Sequence, residues 1–150
     1  MMKAELTLSI SAEPIRRQIF SKEDTMRIEA IQVPYVKDLS VNHYLGRRKG
    51  SGYYVKPSVV RWKEEFGWLL KKLELDTWEL PLSITCNATF KDGRSACDLS
   101  NLSKVICDTI QSVSGIDDKN FRWHDGKRDI IRGCDPYLLI VVKELNDESS

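Results

Sequence analysis

From Leu82 to Phe90 the chain alternates without a break: Leu82, Ile84, Cys86, Ala88 and Phe90 are apolar, while Ser83, Thr85, Asn87 and Thr89 are polar. A period of two belongs to a strand with one face on a core. The stretch therefore commits the chain to a sheet and calls for elements that cover its apolar side. Two amphipathic segments can do so. In Ser58–Leu73, the residues Val59, Trp62, Phe66, Leu69, Leu70 and Leu73 recur at helical spacing. Ser58 stands where an N-cap belongs, and Lys71 and Lys72 suit the negative end of the helix dipole. Trp68 falls on the other face, beside Glu64 and Lys71, either incidentally or as part of a partner surface. In Leu99–Val113 the stripe is Leu99, Leu102, Ile106, Ile110 and Val113, and Gly115 ends it.

Tyr137–Val142 is apolar on both faces, as a central strand would be. Arg27–Val33, Tyr53–Val55 and Phe121–His124 are further strand candidates, and Asp38–Gly52 reads as a flexible loop. This order predicts an α/β fold of the α+β type: a small mixed β-sheet with two main helices packed on one side, in a single domain. A chain of 150 residues is one domain long. Residues 1–25 are set apart. Leu6, Leu8 and Ile10 alternate like a strand, a polar connection follows, and Met26 opens MRIEAIQVP like a natural start. They are expected to be an N-terminal extension, or the product of a misplaced start codon, ahead of a domain over 26–150.

No apolar run approaches the roughly 20 residues of a membrane helix, and Glu5 interrupts any signal-peptide core. The expected setting is cytoplasmic, with no membrane partner. Cys86, Cys97, Cys107 and Cys134 form no CxxC pair, and His43 and His124 stand alone, which argues against zinc and for reduced thiols. The net charge of +1 says nothing for nucleic acid. Its distribution says more: Val41–Arg61 contains no acid but holds Arg47, Arg48, Lys49, Lys56 and Arg61. Such a stretch attracts phosphate, or is simply a solvated basic loop.

The chemistry-bearing stretch is Asp98-Leu-Ser-Asn-Leu-Ser-Lys104, followed by Asp117-Asp118. Asn101, Lys104 and Asp108 lie at i, i+3 and i+7 on the polar face of the second helix, with Ser100 and Gln111 nearby. Asp98 and the Asp117-Asp118 pair flank that helix, and they converge only if the turn after it folds back. Each residue also has an ordinary reading. Asp98 can be an N-cap, Asp117-Asp118 a polar turn, and Lys104 with Asp108 a solvated pair.

The string DLSNLSKVICDTI, followed by SGIDDKNF, resembles the RusA family of Holliday junction resolvases: an Asp, an Asn, a Lys three residues beyond it, a further Asp and then a DD pair. SVNHYLGRR resembles the family's early SxNxxYR segment, and the helix after it and the closing strand at Tyr137–Val142 also fit, so the resemblance spans about residues 26 to 145. It implies a dimeric endonuclease that nicks four-way DNA junctions with Mg²⁺, with Mn²⁺ able to substitute and no small-molecule cofactor. By position, Asp98 and Asp118 would be catalytic, metal-binding carboxylates, with Asp117 beside them, Lys104 would be the essential lysine, and Asn101 would shape the site. Arg47, Arg48, Lys49, Lys91, Arg94, Asn101 and Lys104 would contact DNA. The chemistry is coherent: Mg²⁺ prefers carboxylate and water oxygens and bridges to phosphate, and a lysine offsets charge building on phosphoryl oxygens.

One departure bears on catalysis. Ser100 stands where the family has its second Asp, so a neutral hydroxyl replaces one charged metal ligand. The preceding loop keeps only Lys91 and Arg94, with Cys97 where an Arg is usual. The first expectation is an active Mg²⁺-dependent endonuclease acting in DNA recombination and repair. The second is a branched-DNA-binding protein whose cleavage is weakened or lost, and the third is a small domain with no DNA role.

Overall fold

A computed structural model describes residues 26–145. The extension and its strand-like Leu6–Ile10 lie outside the described residues. The order of elements is β1 (Ile28–Pro34), a short hairpin β2 (Leu45–Arg47) and β3 (Tyr53–Val55), helix α1 (Pro57–Lys71), β4 (Leu82–Phe90), helix α2 (Ser103–Ser114), β5 (Phe121–Ile130) and β6 (Tyr137–Glu144). The main sheet runs β1-β6-β4-β5. β6 is antiparallel to both neighbours, and β4 is parallel to β5. The sheet is therefore mixed, as the pattern of elements predicts.

Register explains the alternation. Ile84, Cys86 and Ala88 of β4 pair with Val142, Ile140 and Leu138 of β6, which in turn pair with Glu29, Ile31 and Val33 of β1. Apart from Glu29, these residues are buried. Helices α1 and α2 pack on each other and complete that core with Val59, Trp62, Phe66, Leu70, Ile106 and Ile110. On the opposite face Ala30 and Gln32 are exposed, and Tyr137, Leu139 and Val141 are half-buried. The doubly apolar character of β6 thus reflects its central place between β1 and β4.

The structure corrects several local expectations. Ser58 is not the N-cap of α1. The helix begins at Pro57 with Lys56 as cap, consistent with the preference for proline in a first turn. The Ser58 hydroxyl instead donates to Asp38 Oδ2 at 2.8 Å. Leu69 and Leu73 are half-buried rather than part of the buried stripe. Asp38–Gly52 is not one loop. It contains a 3₁₀ turn at Lys37–Leu39 and the first strand of the hairpin, and Gly50 and Gly52 supply its positive φ angles. The second helix opens with a 3₁₀ turn, Leu99–Leu102, before becoming α-helical at Ser103. The strand expected at Phe121–His124 runs on to Ile130.

Candidate active site

Helix α2 is the spine of the site. Lys104 is exposed on its first turn, and its ammonium donates to Asp108 Oδ2 at 3.1 Å, one turn along. That bond is the main reason the lysine is held above its ordinary pKa. The Asp108 charge, the nearby Tyr44 hydroxyl and the Asp118 carboxylate add to it. Lys104 therefore stays cationic throughout the neutral range.

The turn after the helix carries the acidic pair. Gly115, at φ 77°, ends α2 in the left-handed conformation, and the chain returns through the 3₁₀ turn Asp118–Asn120. Asp118 is close enough to act on both Lys104 and Cys107, whose thiol burial pushes up to about 11. The turn that carries the acidic pair packs against α2. Asp117 caps its turn by accepting from the Lys119 amide at 3.1 Å. That bond, followed by the adjoining Asp118 carboxyl, holds Asp117 below the usual carboxylate range.

Asp98 stands at the other end of the spine. It occupies the cap position of the Leu99–Leu102 turn with extended backbone, φ −70° and ψ 138°, but its side chain makes no cap hydrogen bond. The ordinary reading of Asp98 as a side-chain cap is therefore not what the structure shows: the carboxylate is exposed. Ser100 is exposed on the same turn and Asn101 is half-buried. The Asn101 carbonyl accepts from the Val41 amide at 2.8 Å, tying the SVNHY segment to the turn.

That segment also roots the basic arm. Lys56 N donates to the Tyr44 carbonyl at 3.0 Å, closing the base of the β2–β3 hairpin beside Lys104. Asp38 fastens the base to α1 by accepting from Ser58 and Lys56. The Ser58 bond, more than the lysine, holds Asp38 below the usual carboxylate range. Arg47, Arg48 and Lys49 are exposed at the end of this arm. Lys91 and Arg94 are exposed on the loop leading to Asp98, where Asp92 Oδ1 accepts from both the amide and the hydroxyl of Ser95.

Tyr44, Arg128 and Tyr35 were not singled out from the sequence. Tyr44 lies inside the quoted SVNHY motif, which is the signal that could have found it. Arg128 and Tyr35 reach the Asp98 loop only through the fold.

Among the described residues, no group of three His, Cys, Asp or Glu side chains converges on one point. Asp98, Asp117 and Asp118 are exposed carboxylates and Ser100 an exposed hydroxyl, at the two ends of the second helix. Mg²⁺ keeps most of its waters and needs only one or two carboxylates, so this donor chemistry fits it. Among the same residues no helix is long and apolar enough to cross a membrane.

No curated protein matches the chain. The family model described as endodeoxyribonuclease RusA matches residues 34–129. That span runs from the last residue of β1 to the penultimate residue of β5 and takes in the hairpin arm, α2 and the acidic pair. With well over half of the sequence matched, the chain belongs to the RusA endodeoxyribonuclease family.

Proposed function

We propose that this protein is a Mg²⁺-dependent, structure-selective endonuclease that resolves Holliday junctions by paired nicks in recombination and repair. The family membership supports the reaction class. The observation that supports the site is that Asp98 and Asp118 stand in the turns immediately before and after the helix that bears Lys104. Asp98 and Asp118 would hold the ion, assisted by Asp117 and Ser100. When bound, Mg²⁺ polarises the scissile phosphodiester and makes water a better nucleophile at neutral pH.

The remaining roles belong to the chain's own groups. Lys104 exchanges its exposed bond with Asp108 for a phosphoryl oxygen and offsets the charge that builds there. Asn101 and Tyr44 line the approach. Arg47, Arg48 and Lys49 reach phosphates from the arm, while Lys91 and Arg94 reach them from the loop. Two opposed cuts require two sites, and a two-fold homodimer supplies them most simply. Sedimentation as a strict monomer at micromolar concentration, with and without junction DNA, would contradict that assembly.

A second reading, a junction-binding protein with weakened cleavage, is favoured by one observation: Ser100 puts a neutral hydroxyl where the family has a charged carboxylate. Ser100→Asp separates the two. If metal occupancy limits the wild-type rate, the added carboxylate raises Mg²⁺ affinity and cleavage together. An inert wild type made active by Ser100→Asp would establish the second reading.

A further inference from the structure

We propose that Arg128 is a positioning residue that fixes the Asp98 loop over the site, and that a bulge in β5 aims it there; the proposal rests on the nuclease reading above. β5 pairs with β4 in step from Leu82 opposite Phe121 to Cys86 opposite Asp125, and pairing resumes at Ala88 opposite Arg128. Two residues of advance on β4 therefore match three on β5. Since side chains alternate along a strand, the extra residue reverses parity. Before the bulge the odd-numbered residues Phe121 and Trp123 share the face of Leu82 and Ile84. After it the even-numbered Arg128 and Ile130 share the face of Ala88 and Phe90. Without the bulge Arg128 would project to the other side of the sheet.

The bulge is built from particular side chains. Asn87 Oδ1 accepts from the Lys127 amide at 2.8 Å, while Asn87 Nδ2 donates to the Leu139 carbonyl at 3.2 Å. Gly126 leaves room for this amide: a Cβ there would lie 2.8 Å from Asn87 Cγ and 2.9 Å from the Cys86 carbonyl oxygen.

Thus aimed, Arg128 Nε donates to the carbonyl oxygen of Cys97 at 3.0 Å, the peptide unit that leads into Asp98. Its guanidinium sits 5.5 Å from the centre of the Phe90 ring. Tyr35 packs edge-on against the same ring at 4.8 Å and donates its hydroxyl to the Ser95 carbonyl at 2.7 Å. The loop is thus held at two carbonyls by groups from distant parts of the chain. The Asp98 side chain has no cap bond of its own, so the backbone of this loop sets where its carboxylate points. Arg128 is itself exposed.

The test compares Arg128→Ala, Arg128→Lys and wild type by four readouts: amide hydrogen exchange over residues 96–101, Mn²⁺ affinity from the spectrum of the free and bound ion, junction affinity, and single-turnover cleavage at saturating junction. A displacement of about 1 Å can cost up to a hundredfold in rate. Arg128→Ala is accordingly expected to speed exchange in the loop, weaken Mn²⁺ binding and lower the saturated cleavage rate at least about tenfold, with little change in junction affinity. Arg128→Lys should restore part of the loss. Unchanged exchange and Mn²⁺ affinity would overturn the proposal. So would a loss confined to junction affinity, which would make Arg128 a phosphate contact only. If wild type cuts no junction while Arg128→Ala still loosens the loop and weakens Mn²⁺ binding, the positioning role stands and the nuclease reading falls.

Discussion

Gly126→Ala should destabilise the fold by an amount that the bulge geometry sets. The new methyl would stand 2.8 Å from Asn87 Cγ and 2.9 Å from the Cys86 carbonyl oxygen. The carbonyl belongs to β4, which is fixed between two partner strands, so the Asn87 side chain has to yield. Its displacement breaks the bonds to Lys127 N and Leu139 O, at about 1 kcal/mol each. Residual overpacking adds about 1 kcal/mol or more, for a total of about 3 kcal/mol. A domain of ordinary stability remains folded after such a loss. Urea unfolding at fixed protein concentration measures it, with Asn87→Ala and the double substitution completing a cycle. Asn87→Ala alone loses the two bonds, about 2 kcal/mol. The double variant loses them only once and is freed of the side-chain clash, so it should cost clearly less than the sum of the singles. A Gly126→Ala protein within about 0.5 kcal/mol of wild type, the range of an innocuous surface change, or strict additivity in the cycle, would refute this account of the bulge.

Three further outcomes follow from the site. Replacing Arg47, Arg48 and Lys49 together by Ala should weaken binding to all branched DNAs and reduce the slope of log affinity against log salt by about 2 to 3, and an unchanged slope would remove the arm from the interface. Lys104→Ala should lower the saturated cleavage rate by roughly a hundredfold or more with a much smaller effect on junction affinity; equal losses in both would make the lysine a general phosphate contact. Asp38 is held below its ordinary pKa by Ser58 and Lys56, so its contribution is present above the unfolded-state value and is lost as pH falls through the depressed native one. Acid should therefore loosen the root of the arm, seen as lower protection of the Lys56 and Tyr44 amides relative to their intrinsic exchange rates, and Asp38→Asn should abolish that pH dependence.

What the sequence makes legible follows from where burial imposes a period. β4 and β6 are the two inner strands, and their patterns mark both correctly because each is framed by partners. The second half of β5 is silent. Asp125 to Asp129 are polar or glycine and exposed, and only backbone pairing to β4 makes them a strand. Of the β2–β3 hairpin only Tyr53–Val55 can be read as a strand; Leu45–Arg47 is hidden, because it packs away no stripe. Ser58 looks like a cap because its type suits one, yet Asp38 claims its hydroxyl from elsewhere in the chain. At the site, the Lys104–Asp108 pair, four residues apart on α2, is a matter of helix geometry and can be read directly, whereas Asn101 falls in the 3₁₀ turn before that helix. The path of the chain after α2 depends on the turn that Gly115 allows. The placing of Arg128 depends on a one-residue bulge that no periodicity announces.

The central claim is most directly tested by Mg²⁺-dependent cleavage of an end-labelled four-way junction by wild type and Asp98→Asn, with linear duplex of the same sequence as control. Asn is also a good cap residue, and Asp98 makes no side-chain cap bond in any case, so the substitution should leave the fold intact by thermal melt. The account predicts paired nicks in the junction by wild type only when Mg²⁺ is present, no cleavage of duplex, and junction binding without cleavage by Asp98→Asn. Equal cutting by Asp98→Asn and wild type would contradict the site as drawn, and loss of junction binding together with cleavage would contradict the role given to Asp98.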